Sequence, residues 1–204
     1  IASLEEKVLD LNMVIDCTGK YEEVTPNIRC WIWPSHHGNE TLVDGIKNSC
    51  NYFFADLGHR LATDAEGNYN AELGMERIRK YASDFGLNEK SGIELDEAEP
   101  RISDYDPERS AMGQGNHAFN TAQLAKYITA VANGGNLYKL SIVDKISDPK
   151  GKTVEELGAT LIKHLDYADS TWNAVHEGLR KVITEGVAKN VFLGQNISVA
   201  GKTG

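Results

Sequence analysis

Long apolar runs are missing from this 204-residue sequence, and no window approaches 18 consecutive apolar residues. No membrane-spanning helix is therefore encoded. No charged segment followed by an apolar one opens the chain, so no signal peptide is expected. Basic residues are also scarce. Lysine and arginine number 21 against 30 aspartates and glutamates, a net charge of −9. A nucleic-acid surface would need the opposite balance. Cysteine is limited to Cys17, Cys30 and Cys50, an odd number and too few for a disulfide framework. Cys17 and Cys30 could pair in an oxidising compartment, or bind a metal together with His36 and His37. The spacing C-x12-C-x5-H-H matches no established zinc pattern. Ordinary thiols are expected, with no metal, no cofactor and Cys50 as a packing residue.

What is present is globular composition: 41% apolar and 25% charged residues, enough for one domain with a sizeable core. There is no internal repeat. Residues 2–9 read as the end of a helix and "SVAGKTG" as an abrupt stop, so a fragment of a longer chain is expected. Residues 17–40 read as an irregular loop with short strands. Helices are expected over 41–48 and 51–61, the first with Leu42 and Ile46 inward, the second with Phe53, Phe54, Leu57 and Leu61. A third runs over 75–87 with Ile78, Tyr81, Ala82 and Phe85 on one face and Gly86 as its C-cap. A loop follows to about residue 107, with the acidic run Glu94–Glu99 exposed.

The clearest helix begins at Asn120 or Thr121, with Gln123 completing a capping box, and ends at Gly134-Gly135. Leu124, Ile128 and Val131 are expected to face inward. "SDPKG" reads as the turn of a hairpin. "DSTWNAVHEGLRKVITEG" reads as a helix capped by Asp169 or Ser170, with Trp172, Val175, Leu179 and Val182 as its stripe and Gly186 at its close. "NISVAGKTG" reads as a terminal strand. The sum is an α+β fold, mostly helical.

Ser49-Cys50-Asn51 and Lys202-Thr203-Gly204 each mean little alone, since Ser and Asn are common helix caps. Together, in order and 153 positions apart, they match two of the three motifs of the active-site serine penicillin-recognising enzymes. The stretches "HGNETLVDGIKNSCNYFFADLG", "FGLNEKSGIELDEAEP" and "MGQGNHAFNTAQLAKYITAVANGG" further resemble class B, high-molecular-weight penicillin-binding proteins. Nearly the whole chain, residues 1–204, is thereby identified as a partial transpeptidase domain of that fold. Class A β-lactamases have a shorter gap between the motifs and fit poorly. The loose dinucleotide pattern at Gly113–Ala118 lacks the strand it would need before it.

Two departures stand out. The nucleophile motif Ser-x-x-Lys occurs only as Ser147–Lys150, after the second motif and with Pro149 inside it, so it reads as a turn. "EGVAKN" (185–190) stands where many relatives have Gly-Thr-Ala, and Val187 supplies no hydroxyl.

The resemblance implies a peptidoglycan D,D-transpeptidase. A serine attacks the D-Ala–D-Ala bond of a stem peptide, and a neighbouring stem's amine resolves the acyl-enzyme. It implies that Ser49 relays a proton to the leaving amine and that Asn51 holds the base lysine or the substrate amide. Lys202 and Thr203 would attract the substrate's terminal carboxylate, and Gly204 would let its backbone lie close. Nucleophile, base and oxyanion donors would lie outside these residues, so the chain alone is expected to be inactive. Implied partners are stem peptides, β-lactam antibiotics and membrane proteins of wall synthesis, at the outer face of a bacterial membrane through an anchor elsewhere. A terminal strand would need a partner, a strand-swapped second copy being one. The alternatives are a non-catalytic relative on the same fold, or a β-lactam sensor or β-lactamase.

Overall fold

Runs of short strands and of helices follow one another along the chain, and a computed structural model describes all 204 residues, Ile1–Gly204. Two compact units result. The first comprises Ile1–Ile78, Ser103–Asn116 and Tyr167–Gly204; the second comprises Arg79–Ile102 and His117–Asp166. Helix and strand are mixed in an α+β arrangement, and no helix is long and apolar enough to cross a membrane.

In the first unit, α1 (Ala2–Glu5) is a single turn, shorter than the sequence suggests. The turn-rich stretch that follows forms four strands. β1 (Ile15–Cys17) pairs antiparallel with β4 (Gly38–Glu40), and β2 (Lys20–Tyr21) with β3 (Ile28–Arg29). Thr41 then caps α2 (Leu42–Lys47) in a capping box with Asp44. After a sharp junction, α3 (Asn51–Leu61) begins with Cys50 as its N-cap, the Phe53 N–H donating to Cys50 Sγ over 3.4 Å. Phe53, Leu57 and Leu61 point into the core as their spacing predicts. Full burial of a side chain such as Phe53 stabilises the fold by about 1.5–3 kcal/mol.

Helix α4 (Ala71–Asp84) follows, then the short α5 (Pro107–Ala111), which begins where the expected loop ends and to which the sequence reading assigns no element. Because α5 precedes Gly113–Ala118, that glycine pattern has no strand before it.

Later in the chain comes α7 (Asp169–Thr184), which carries the expected stripe. Trp172, Val175 and Val182 are buried, and Leu179 packs against the core cluster that holds Val182. Its N-cap is Ala168 with no side-chain bond, so neither Asp169 nor Ser170 caps it. Both residues fall inside the first turn, beyond the cap position. The Gly178 position lets α7 approach α2, because a Cβ there would sit 2.8 Å from Ile46. Leu42, Ile46, Phe53, Ala174 and Val182 share one core with Cys17, Cys30 and Cys50.

The second unit holds α6 (Thr121–Ala132), with the predicted Asn120–Gln123 capping box. Its inward face differs from expectation. Val131 is buried, but Leu124 and Ile128 are 46% and 44% exposed. The buried positions are instead Gln123, Lys126 and Ala130. Gln123 Nε2 donates to the Glu89 carbonyl over 2.6 Å, and Lys126 Nζ to the Ser91 carbonyl. Satisfying the carbonyls of the preceding loop turns the helix onto its polar shoulder.

Gly86, at φ 72°, closes α4 as expected. Phe85 on α4 meets Tyr127 edge-on at 5.1 Å. β5 (Asn136–Tyr138) pairs with β8 (Leu161–His164), a strand the sequence does not announce. β6 (Lys145–Ser147) and β7 (Thr153–Glu156) form the expected hairpin. Ser147–Lys150 lies at its turn, where the Gly151 N–H donates to the Asp148 carbonyl.

The chain's last residues, 198–204, are not a strand. Within this chain the segment has no ladder partner, and a strand exists only through such pairing. It runs beside α7 instead. The Gly201 N–H donates to the Leu179 carbonyl over 3.1 Å, and Arg180 donates to the Val199 carbonyl.

Candidate functional site

Ser49 sits at the junction of α2 and α3 with φ 52°. This left-handed backbone is uncommon for a residue bearing a Cβ. The junction is fixed from both sides. Asn48 Nδ2 donates to Glu40 Oε1 over 2.8 Å, while Trp31 Nε1 donates to the Asn48 carbonyl over 2.9 Å. Backbone bonds from Ser49 to Ile46 and from Cys50 to Gly45 close the turn. The side chains of Ser49 and Cys50 consequently meet different surroundings.

Lys202 reaches Ser49 across the full separation of the two motifs. Its Nζ donates to Ser49 Oγ over 2.6 Å, to the Thr203 carbonyl over 2.8 Å and to Thr203 Oγ1 over 3.3 Å. Desolvation lowers the Lys202 ammonium below its usual pKa, although the side chain as a whole stays accessible.

Trp31, Ser49, Val187 and Thr203 line a cavity of about 270 Å³. Val187, just past α7, is held there by the end of α2, its N–H donating to the Lys47 carbonyl. Ser49, Lys202 and Thr203 therefore come together. Asn51 is placed differently: its Nδ2 donates to the Arg29 carbonyl over 3.2 Å, and it does not line the cavity. Gly204 is exposed with open space around its Cα. Trp31 was not marked by any sequence signal. Only the fold shows that an indole lines the cavity beside the serine.

The thiols are gathered as well. Cys17, Cys30 and Cys50 are each at most 2% exposed. Their sulfurs and a ring nitrogen of His37 all lie within 4.8 Å of one another. All three cysteines are free. Their spacing along the chain predicts ordinary, separate thiols. The β1–β4 register and the cap of α3 bring them together, and His36 is not among them. The hydrogen bond shared with Cys50 lowers the Cys30 thiol, while burial pushes Cys17 up.

A larger cavity of about 450 Å³ lies elsewhere in the first unit and contains none of the motif residues. Its buried carboxylate, Glu108, is occupied on both oxygens. His59 Nδ1 lies 3.0 Å from Oε1, and the Tyr69 hydroxyl donates to Oε2 over 3.3 Å. Burial and the Glu108 charge push the Tyr69 phenol up to about 12. This network reads as internal support.

Comparison with known proteins shows the family and the fold. The penicillin-binding protein transpeptidase domain matches residues 1–204. Stage V sporulation protein D of Bacillus subtilis is 30% identical, over all of this chain and 30% of the relative. Peptidoglycan D,D-transpeptidase MrdA of Haemophilus influenzae is 25% identical, over all of this chain and 32% of the relative. The chain thus spans about a third of the length of these relatives. Among solved structures, penicillin-binding protein 2B of Streptococcus pneumoniae strain R6 superposes with a TM-score of 0.84 at 23% identity, covering this whole chain and 36% of that one. The chain belongs to the transpeptidase-domain family of penicillin-binding proteins, in its class B branch.

Proposed function

We propose that these residues form part of a serine-type D,D-transpeptidase that transfers acyl groups from D-Ala–D-Ala stem peptides and is acylated by β-lactams. The observation that carries the reading is the 2.6 Å bond from Lys202 to Ser49. It joins the second and third motifs of the family at one cavity. The Ser49 hydroxyl accepts from the ammonium and keeps its own proton for donation. Such a group can deliver a proton to a departing amine. Lys202 and the Thr203 hydroxyl offer charge and a donor to a terminal carboxylate. Asn51, tied through Nδ2 to the Arg29 carbonyl, keeps Oδ1 as an acceptor for a lysine ammonium or a substrate amide.

The acylated serine and its lysine base are expected in sequence preceding Ile1, because Ser147–Lys150 is a hairpin turn. These 204 residues alone are then expected to be inactive. Membrane anchoring, partners in wall synthesis and placement at the outer face of the membrane belong to the whole protein.

Intact-protein mass after incubation with benzylpenicillin tests the reading. A stable one-to-one adduct on the longer parent protein, absent from this chain, is expected. No adduct on either would favour a non-catalytic relative on the same fold. Rapid loss of the adduct would favour a β-lactamase.

A further inference from the structure

We propose that Cys17, Cys30, His37 and Cys50 form a four-ligand structural zinc site that fastens the Ser49-Cys50-Asn51 segment to the β-ladders. The ligands come from four separate places. Cys17 ends β1, Cys30 follows β3, His37 precedes β4, and Cys50 caps α3. Two pairings bring them together. The β1–β4 ladder sets Cys17 opposite Gly38, next to His37. The Cys30 N–H donates to the Gly19 carbonyl over 2.9 Å, setting Cys30 beside the turn after β1.

Three of the six ligand–ligand edges are those of a tetrahedron, and the other three are no longer than 4.8 Å. Bonds of about 2.3 Å to sulfur and about 2.0–2.1 Å to nitrogen give edges of about 3.8 Å between sulfurs and about 3.5 Å between sulfur and nitrogen. Cys30 Sγ lies 3.8 Å from Cys50 Sγ, and His37 Nδ1 lies 3.5 Å from Cys30 Sγ and 3.8 Å from Cys17 Sγ. Thiols used only for packing behave as small hydrophobes. They give no reason for an imidazole nitrogen to be directed at two of them.

Three sulfurs and one imidazole nitrogen are a standard structural zinc set, whereas iron–sulfur clusters take four thiolates or, in Rieske centres, two thiolates and two imidazoles. Four protein ligands leave no open position, so the metal is structural rather than catalytic. Three thiolates around a dication leave one net negative charge. The N-terminus of α3 faces it, with the Phe53 N–H on Cys50 Sγ. His37 is only half-buried and provides the route of entry. Because Cys50 lies between Ser49 and Asn51, the metal would hold the serine's backbone in place. The site does not depend on the transpeptidase reading.

The test is the zinc content of the 204-residue chain, purified under reductant, supplied with zinc and desalted. About one zinc per chain is expected. Cobalt in its place should give the absorption of a tetrahedral, thiolate-bound ion. His37→Ala and Cys17→Ser should fall below about 0.1 zinc per chain, and His37→Cys should retain the metal. Chelation should lower the Tm and speed the reaction of all three thiols with a thiol reagent. Wild-type chain that is folded by circular dichroism and takes up no zinc would overturn the proposal. So would zinc held equally by wild type and by folded His37→Ala. The wild-type measurement decides even if the variants misfold.

Discussion

Ser49 and Cys50 are adjacent in the chain, yet their side chains serve two unlike places. Ser49 opens onto a cavity and meets Lys202, which arrives from 153 residues away. Cys50 is fully buried, caps α3 and meets Cys17, Cys30 and His37, all within 33 positions of it in the sequence. The distant pairing is the one the sequence announces, because two short motifs in a fixed order carry it. The nearer grouping goes unannounced, because its spacing follows two hairpin registers rather than a metal-binding loop. The left-handed turn at Ser49 is what lets neighbours face apart.

Substitutions at each place should separate them. The largest effect is expected from Ser49→Ala in the parent protein. The rate of benzylpenicillin acylation should fall about 10²–10⁴-fold, while the zinc content of the chain stays unchanged. Ser49→Gly should lose the same activity but gain up to about 1 kcal/mol in urea unfolding, because glycine adopts the positive φ freely. A Gly variant no more stable than wild type would show that the junction is not strained.

Cys50→Ala should act on the other place. Loss of the α3 cap and of buried volume should cost about 2–3 kcal/mol by denaturant titration, and zinc binding should disappear. A stable variant that still binds zinc would remove Cys50 from both roles.

Lys202→Met should cost about 1.5–3 kcal/mol of transition-state stabilisation, read as a tenfold to hundredfold fall in acylation rate. It should leave Tm almost unchanged, because the terminal segment is exposed.

The smallest effect is expected from Tyr21→Phe. The Tyr21 hydroxyl is buried without a hydrogen-bond partner, so its removal should be neutral or slightly stabilising at pH 7. Burial pushes this phenol upward. The folded state therefore keeps the proton more tightly than the unfolded state. That contribution is complete below the ordinary pKa of about 10 and is lost as pH rises above it. Tyr21→Phe should thus resist alkaline unfolding better than wild type in a pH titration followed by circular dichroism.

Much of the secondary structure was legible in local signals. The Asn120–Gln123 capping box, the glycine closing α4, the stripe of α7 and the Pro-Lys-Gly hairpin all follow from residues within a few positions of one another. The errors have a common origin. Leu124 and Ile128 face solvent because Gln123 and Lys126 answer carbonyls of a loop more than thirty residues earlier. Residues 198–204 lack a strand because a ladder needs a partner that periodicity does not provide. In the candidate site, Ser49, Lys202 and Thr203 were legible as motif residues, whereas Trp31 enters only through its bond to the Asn48 carbonyl.

By itself the sequence determined the capped start of α6, the glycine close of α4, the hairpin turn, the acidic charge and the family motifs, because short-range capping, turn geometry and composition act within a few residues. Tertiary structure alone decided which face of α6 is buried, that Trp31 lines the cavity beside Ser49, and that three thiols and one imidazole share a single pocket. Those outcomes depend on chain closure and strand register, which place atoms from distant segments within a few ångströms and leave no periodic trace.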